Sequence, residues 1–151
     1  MITKDELLKG RDAQYPSDYT QEISDNLDAL LAVMNPIREA YGQPMIVSSG
    51  WRPPSINAQT PGAATHSKHM IGLACDIQDP DGQLMRWVLD NLALMQSLGV
   101  FFEDFRWTPN WVHFQKGAPA SGKRIFVPNA NRPLAPGRWD GSYDHQYDQA
   151  A

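Results

Sequence analysis

Two histidines and one aspartate stand in this sequence where a divalent metal could be held: His69, Asp76 and His113. Asp76 lies in GLACDIQ (Gly72–Gln78), a run that alternates as a strand with Leu73, Cys75 and Ile77 on its apolar face. Its own face is shared with Gly72 and Ala74, whose small side chains leave room beside a carboxylate for an ion and a substrate. Taken alone, the same pattern fits a solvent-facing aspartate on an edge strand. His69 precedes that strand by a short step, seven residues from Asp76. By itself it reads more readily as a structural histidine. In Trp111–Gln115, Val112 and Phe114 claim the core face, so Trp111, His113 and Gln115 share the other. An imidazole there suits the floor of a site, and a plain surface histidine fits the segment too.

Two neutral imidazoles and one carboxylate, with a fourth position open, are the ligand set of catalytic zinc; structural zinc prefers closed sites with thiolates. Such a metal lowers the pKa of a bound water toward ~7 and polarises a carbonyl under attack. The spacing, a His-x6-Asp followed by a distant His, is nonetheless one that a chain of this length can contain by chance. Cys75, the one cysteine, excludes an intrachain disulfide, and its place beside Leu73 and Ile77 marks a buried thiol rather than a nucleophile.

The elements that must position these residues can be read from periodicity and punctuation. Thr20 or Ser24 caps a helix running to about Tyr41, with Ile23, Leu27, Leu30, Leu31, Met34 and Ile37 as its stripe. Pro36 is expected to kink or interrupt it, and Gly42 to end it in a left-handed cap. Pro44 to Ser49 reads as a strand. Residues 50–68 read as one long loop of the kind that is usually functional when it occurs in a small domain. Asp81 is expected to cap a helix over roughly Gly82 to Ser97, closed by Gly99. Strands follow at about Val100–Arg106 and Trp111–Gln115, joined by a Thr108-Pro109-Asn110 turn, with a further short strand at Lys123–Val127. The expected organisation is an extension over residues 1–19, a domain over 20–127, and an extended tail over 128–151. That tail would pack through Leu134, Trp139 and Tyr143 and end in disorder.

Composition sets the bounds. The 151 residues are enough for one core, and 42% hydrophobic with 20% charged residues is ordinary for a soluble domain. A formal charge of −4 with no run of Lys or Arg argues against a nucleic-acid partner. Apolar stretches are too short to span a membrane. The start, MITKDELLKGRD, has no apolar core, so no secretory signal is expected. A cytoplasmic protein is expected until it is released, or else a virion-associated one, and a monomer.

Three motifs in order carry a resemblance: SGWRPPSIN (Ser49–Asn57), THSKHMIGLACDI (Thr65–Ile77) and NWVHF (Asn110–Phe114). Together they resemble the zinc D-alanyl-D-alanine carboxypeptidase and L-alanyl-D-glutamate endopeptidase family, with phage and bacterial members, over roughly residues 24–127. The resemblance implies an α+β single domain, with a small antiparallel sheet packed against helices, the hedgehog/DD-peptidase fold. It implies zinc on His69, Asp76 and His113, and a peptidoglycan stem peptide as the partner acting at the cell wall. Arg52 matches an arginine of the substrate cleft, whose guanidinium can bind a peptide carboxylate through two parallel hydrogen bonds or else pin the long loop. Ser67 matches a substrate-side or ligand-orienting hydroxyl, and His66 matches no ligand position.

One departure stands out. Family members usually carry a carboxylate three residues before the last histidine as general base, and this chain has Asn110, an amide that takes up no proton. Glu103 and Asp104, on the preceding strand, are the replacement candidates, and strand alternation allows at most one of them to face the site. Asp104 has the parity of Phe102 and Arg106. The expected activity is therefore a zinc peptidase. The alternative is a degenerate zinc-binding structural or wall-binding module.

Overall fold

Thr20 starts the longest element by accepting a hydrogen bond from the Ile23 amide at 3.3 Å. The helix it caps, α3, runs over Gln21–Tyr41 and ends on Gly42 at φ 72°. In this computed structural model, which describes residues 1–128, 131–135 and 137–150, α3 continues unbroken through Pro36. The expected interruption is absent for a physical reason. Met34 and Ile37, either side of the proline, are fully buried. Asn35 is also clasped by both backbone groups of Ile2, at 2.8 and 3.1 Å. Burial on both turns outweighs the one helical hydrogen bond that proline removes.

Two short helices precede it, α1 (Lys4–Leu8) and α2 (Arg11–Gln14). Leu7 and Leu8 enter the common core. Five strands then form one sheet: β1 (Val47–Ser49), β2 (Ala74–Gln78), β3 (Val100–Glu103), β4 (Trp111–Lys116) and β5 (Ile125–Phe126), in the order β1-β2-β4-β3-β5. All neighbours are antiparallel except β3 and β5, which run parallel. The fold is thus the expected α+β single domain.

One face of the sheet is apolar. Cys75, Ile77, Phe102, Val112 and Phe114 pack there against Leu27, Leu30 and Met34 of α3 and against two further helices, α5 (Gln83–Asp90) and α6 (Leu92–Leu98). The sequence suggested one helix over this last region. It divides at Asn91, whose side-chain amide donates to the Trp87 carbonyl at 2.7 Å and so satisfies a carbonyl freed by the break. Asp81 accepts from the Gln83 amide at 3.1 Å at the start of α5, but Gly82 holds the cap position. Asp79 reaches over as well, accepting from the amides of Leu84 at 2.9 Å and Met85 at 3.0 Å.

The stretch read as one long loop contains a short helix, α4 (Pro54–Gln59), with proline in its first turn where a missing N–H costs nothing. A 3-10 turn, Lys68–Ile71, follows and leads through Gly72 into β2. The described residues of the final segment pack against the domain, and the chain's last residue, 151, lies outside the described residues. Trp139 packs edge-on to Phe105 at 5.3 Å, and a second 3-10 turn (His145–Asp148) supplies Tyr147, whose carbonyl accepts from buried Arg124 at 2.8 Å. Leu134, by contrast, is exposed. No helix among the described residues is long and apolar enough to cross a membrane.

Candidate metal centre

The polar face of the sheet carries the site. Asp76 of β2 and His113 of β4 are direct cross-strand partners, so strand register alone sets them side by side. His69 arrives from the 3-10 turn that Ser67 caps, with the Ser67 hydroxyl accepting from the His69 amide at 3.1 Å. Asp76 Oδ1 lies 3.2 Å from His69 Nε2 and 3.0 Å from His113 Nδ1. Ligand atoms of all three residues fall within 4.8 Å of one another, close enough to hold one metal ion.

The other side of each ring is also engaged. His69 Nδ1 donates to the Gly50 carbonyl at 2.8 Å. His113 Nε2 donates to Gln115 Oε1 at 3.0 Å, while the amide nitrogen of Gln115 donates to the Gly117 carbonyl at 3.0 Å. That second bond fixes which end of the Gln115 amide faces the imidazole. Each ring therefore commits its far nitrogen to an oxygen acceptor and keeps its near nitrogen for a cation, as metal-ligating histidines do. The residues present fit a metal.

Charge balance agrees. Burial alone would raise the Asp76 pKa, but His69 and His113 more than offset it and hold the carboxyl well below its ordinary range. Burial opposes protonation of His113, yet Glu103 and Asp76 push its pKa up to about 9. Asp76 thus draws positive charge to His113, a proton where no ion is bound, and a divalent ion would take that proton's place.

Why Gly50 must be glycine follows from the same place. A Cβ there would stand 2.1 Å from the Leu7 carbonyl oxygen. Trp51 N donates to that oxygen at 2.8 Å, and Arg52 N donates to the His69 carbonyl at 3.0 Å. The Ser-Gly-Trp-Arg segment is thus clamped between α1 and the 3-10 turn, which aims the Gly50 carbonyl at His69.

A family model described as Peptidase M15 matches residues 3–114. The chain belongs to the Peptidase M15 family. Its kind of activity is accordingly that of a peptidase. Comparison with curated proteins finds no match to this M15 chain, and neither does comparison with solved structures.

A cavity of about 730 Å³ opens over the metal group of this M15 domain. Arg52, Ser67, His66 and Glu103 line it; Asp104 and Asn110 do not. Arg52 is nine-tenths buried, with its Nε unpaired among the described residues and one loose contact of 3.4 Å to Ser67 Oγ. Asp104 is turned away. Its carboxylate grips the Arg106 guanidinium at 2.7 and 3.0 Å and accepts from the Arg106 amide. The strand parity that linked Asp104 with Arg106 does not extend to the site, because β3 stops at Glu103 and Phe102 faces the core. Asn110 is exposed, and its carbonyl accepts from the Asp79 amide at 2.8 Å.

Glu103 is on the face that His113 shares. Its Oε1 lies 4.0 Å from His113 Nδ1 and accepts from Arg132 at 2.9 Å. Gly50, Gln115 and Arg132 were not evident as parts of the site from sequence. Only Gln115 had a local cue, its two-residue offset from His113 on one strand face.

Gln115 yields a direct test. Gln115→Ala removes the acceptor that orients His113 and should weaken metal affinity by about 10–100-fold. Competition against a chromogenic chelator measures it. An unchanged affinity would mean that the His113–Gln115 contact has no part in metal binding.

Proposed function

We propose that this chain is a zinc peptidase that hydrolyses amide bonds of peptidoglycan stem peptides, of the D-Ala-D-Ala carboxypeptidase or L-Ala-D-Glu endopeptidase type. The observation that carries the reading is a carboxylate, Glu103, set 4.0 Å from a ligand histidine on the cavity side of the sheet. Zinc on His69, Asp76 and His113 would supply the Lewis acid for the hydrolysis.

The protein's own residues have separable tasks. Glu103 Oε1 is taken by Arg132, and Oε2 has no partner among the described residues. The Glu103 carboxylate, lining the cavity beside His113, is the group to accept a proton from the attacking water and return it to the leaving amine. Arg52, buried with unused N–H donors, suits a carboxylate of the peptide. Ser67 orients His69 through its backbone and touches Arg52, so it couples the ligand turn to the substrate side.

A second reading keeps the metal and discards the hydrolysis, and Asn110 favours it. The two separate on purified muropeptides. The zinc-loaded protein should release fragments, free D-alanine or peptide cut after L-alanine telling the two bond types apart. Asn110→Asp should leave the rate little changed, since the side chain at 110 lies outside the cavity lining. Activity seen only in the Asn110→Asp variant would establish the degenerate reading instead.

A further inference from the structure

Arg132 comes from a part of the chain beyond the family-matched residues 3–114. Yet it is built into the site from three directions. Its Nη2 donates to Glu103 Oε1 at 2.9 Å. Its guanidinium lies over the Trp111 ring, 5.6 Å from the centroid. Its aliphatic stem meets Gly62, where an added Cβ would stand 2.2 Å from Arg132 Cγ. Gly62 also has φ 72°, so this point of the loop after α4 is closed to larger residues on two counts. Both Arg132 and Glu103 are largely buried, at 17% and 15% side-chain exposure. A pair so enclosed holds its geometry better than one on the surface.

We propose that Arg132 is a positioning residue of the peptidase. It ties the Glu103 oxygen that lies 4.0 Å from His113 Nδ1, so holding the carboxylate beside the ligand group, and it joins the C-terminal segment to the Gly62 loop at the cleft. The inference rests on Glu103 as proton acceptor. Sheet order explains why such a tie is needed. Glu103 is the last residue of β3 and has one strand-paired neighbour in β5, Phe126, beyond which the sheet ends. Nothing in β3 itself fixes its side chain. Arg132 does.

A charge so placed also acts on the other groups of the cavity. Asp76 is balanced by His69 and His113, while Arg52 has no carboxylate within bonding distance among the described residues. Arg132 therefore neutralises Glu103 without competing for Asp76. The two carboxylates thus have different nearest partners, the imidazoles for Asp76 and a guanidinium for Glu103.

The test compares Arg132→Met, which keeps the stem, with Arg132→Lys, which restores one charged donor, alone and with Glu103→Gln. Arg132→Met should lower kcat on the order of 10²-fold, the penalty of a misplaced catalytic group, with KM and metal content little changed. Arg132→Lys should recover part of the loss. In the Glu103→Gln background, Arg132→Met should bring no further drop, because the residue acts through Glu103. In the metal-free protein, proteinase K should nick residues 131–135, which carry Arg132, faster in Arg132→Met than in wild type. An unchanged kcat, or a rise confined to KM, would overturn the positioning role. Full activity in Glu103→Gln alone would instead refute the assignment of Glu103, a result that the single Arg132 variants cannot mimic.

Discussion

Glu103→Gln should reduce kcat by about 10²–10⁴-fold, the range that general base catalysis contributes, while leaving the metal in place. The substitution keeps side-chain length and an oxygen that can still accept from Arg132. What it removes is the ability to take up a proton. Glu103 is not one of the three clustered ligand residues, so metal content measured by elemental analysis should match wild type. Asp104→Asn is the matched control. Its carboxylate serves Arg106, away from the cavity, so turnover should be unaffected. If instead Glu103→Gln turned over at the wild-type rate, proton transfer would have to come from elsewhere.

The largest effect on stability should come from Asp79→Ala. The Asp79 carboxylate is 2% exposed and pairs with Arg138, 7% exposed, at 2.9 Å. It also caps α5 through two backbone amides. Arg138 in turn donates to the carbonyls of Asp79, Pro109 and Trp111, fastening the final segment beneath β4. Removing the carboxylate strands a buried guanidinium and uncaps a helix together. Breaking a buried pair in this way costs about 3–5 kcal/mol. Denaturant unfolding of the metal-free protein reads the loss. Asp79→Leu with Arg138→Met should lose less, since neither charge is left alone. A single variant as stable as wild type would show that the pair contributes only fastening.

Local pattern carried the sequence reading as far as single strands and helices. His113 was legible because Val112 and Phe114 declare the core face, and period-two alternation then places the imidazole opposite. Asp76 was legible by the same rule against Cys75 and Ile77. The choice between Glu103 and Asp104 was not, because it depends on where β3 stops. That end is set by pairing with β5, more than twenty residues further on. Asn91 splitting α5 from α6 was likewise hidden, since the apolar period runs through it. Arg132 and the Gly50 carbonyl were out of reach for another reason. One acts across a long sequence separation, and the other is backbone, which no side-chain pattern reports. Nothing in local pattern marks Arg124 as buried, or the Arg138 side chain as enclosed, because carbonyls far along the chain are among their partners.

Asp76 facing His113 across two strands has a consequence for how the molecule is checked during assembly. The pair exists in one alignment of β2 and β4. A slip of one residue would turn His113 toward Phe114's place in the core and put an apolar side chain beside Asp76. Chains folded in the wrong alignment would then lack a complete ligand set. An ion held by this group would therefore be taken up only by correctly aligned molecules, and metal stoichiometry in a refolded sample would count them.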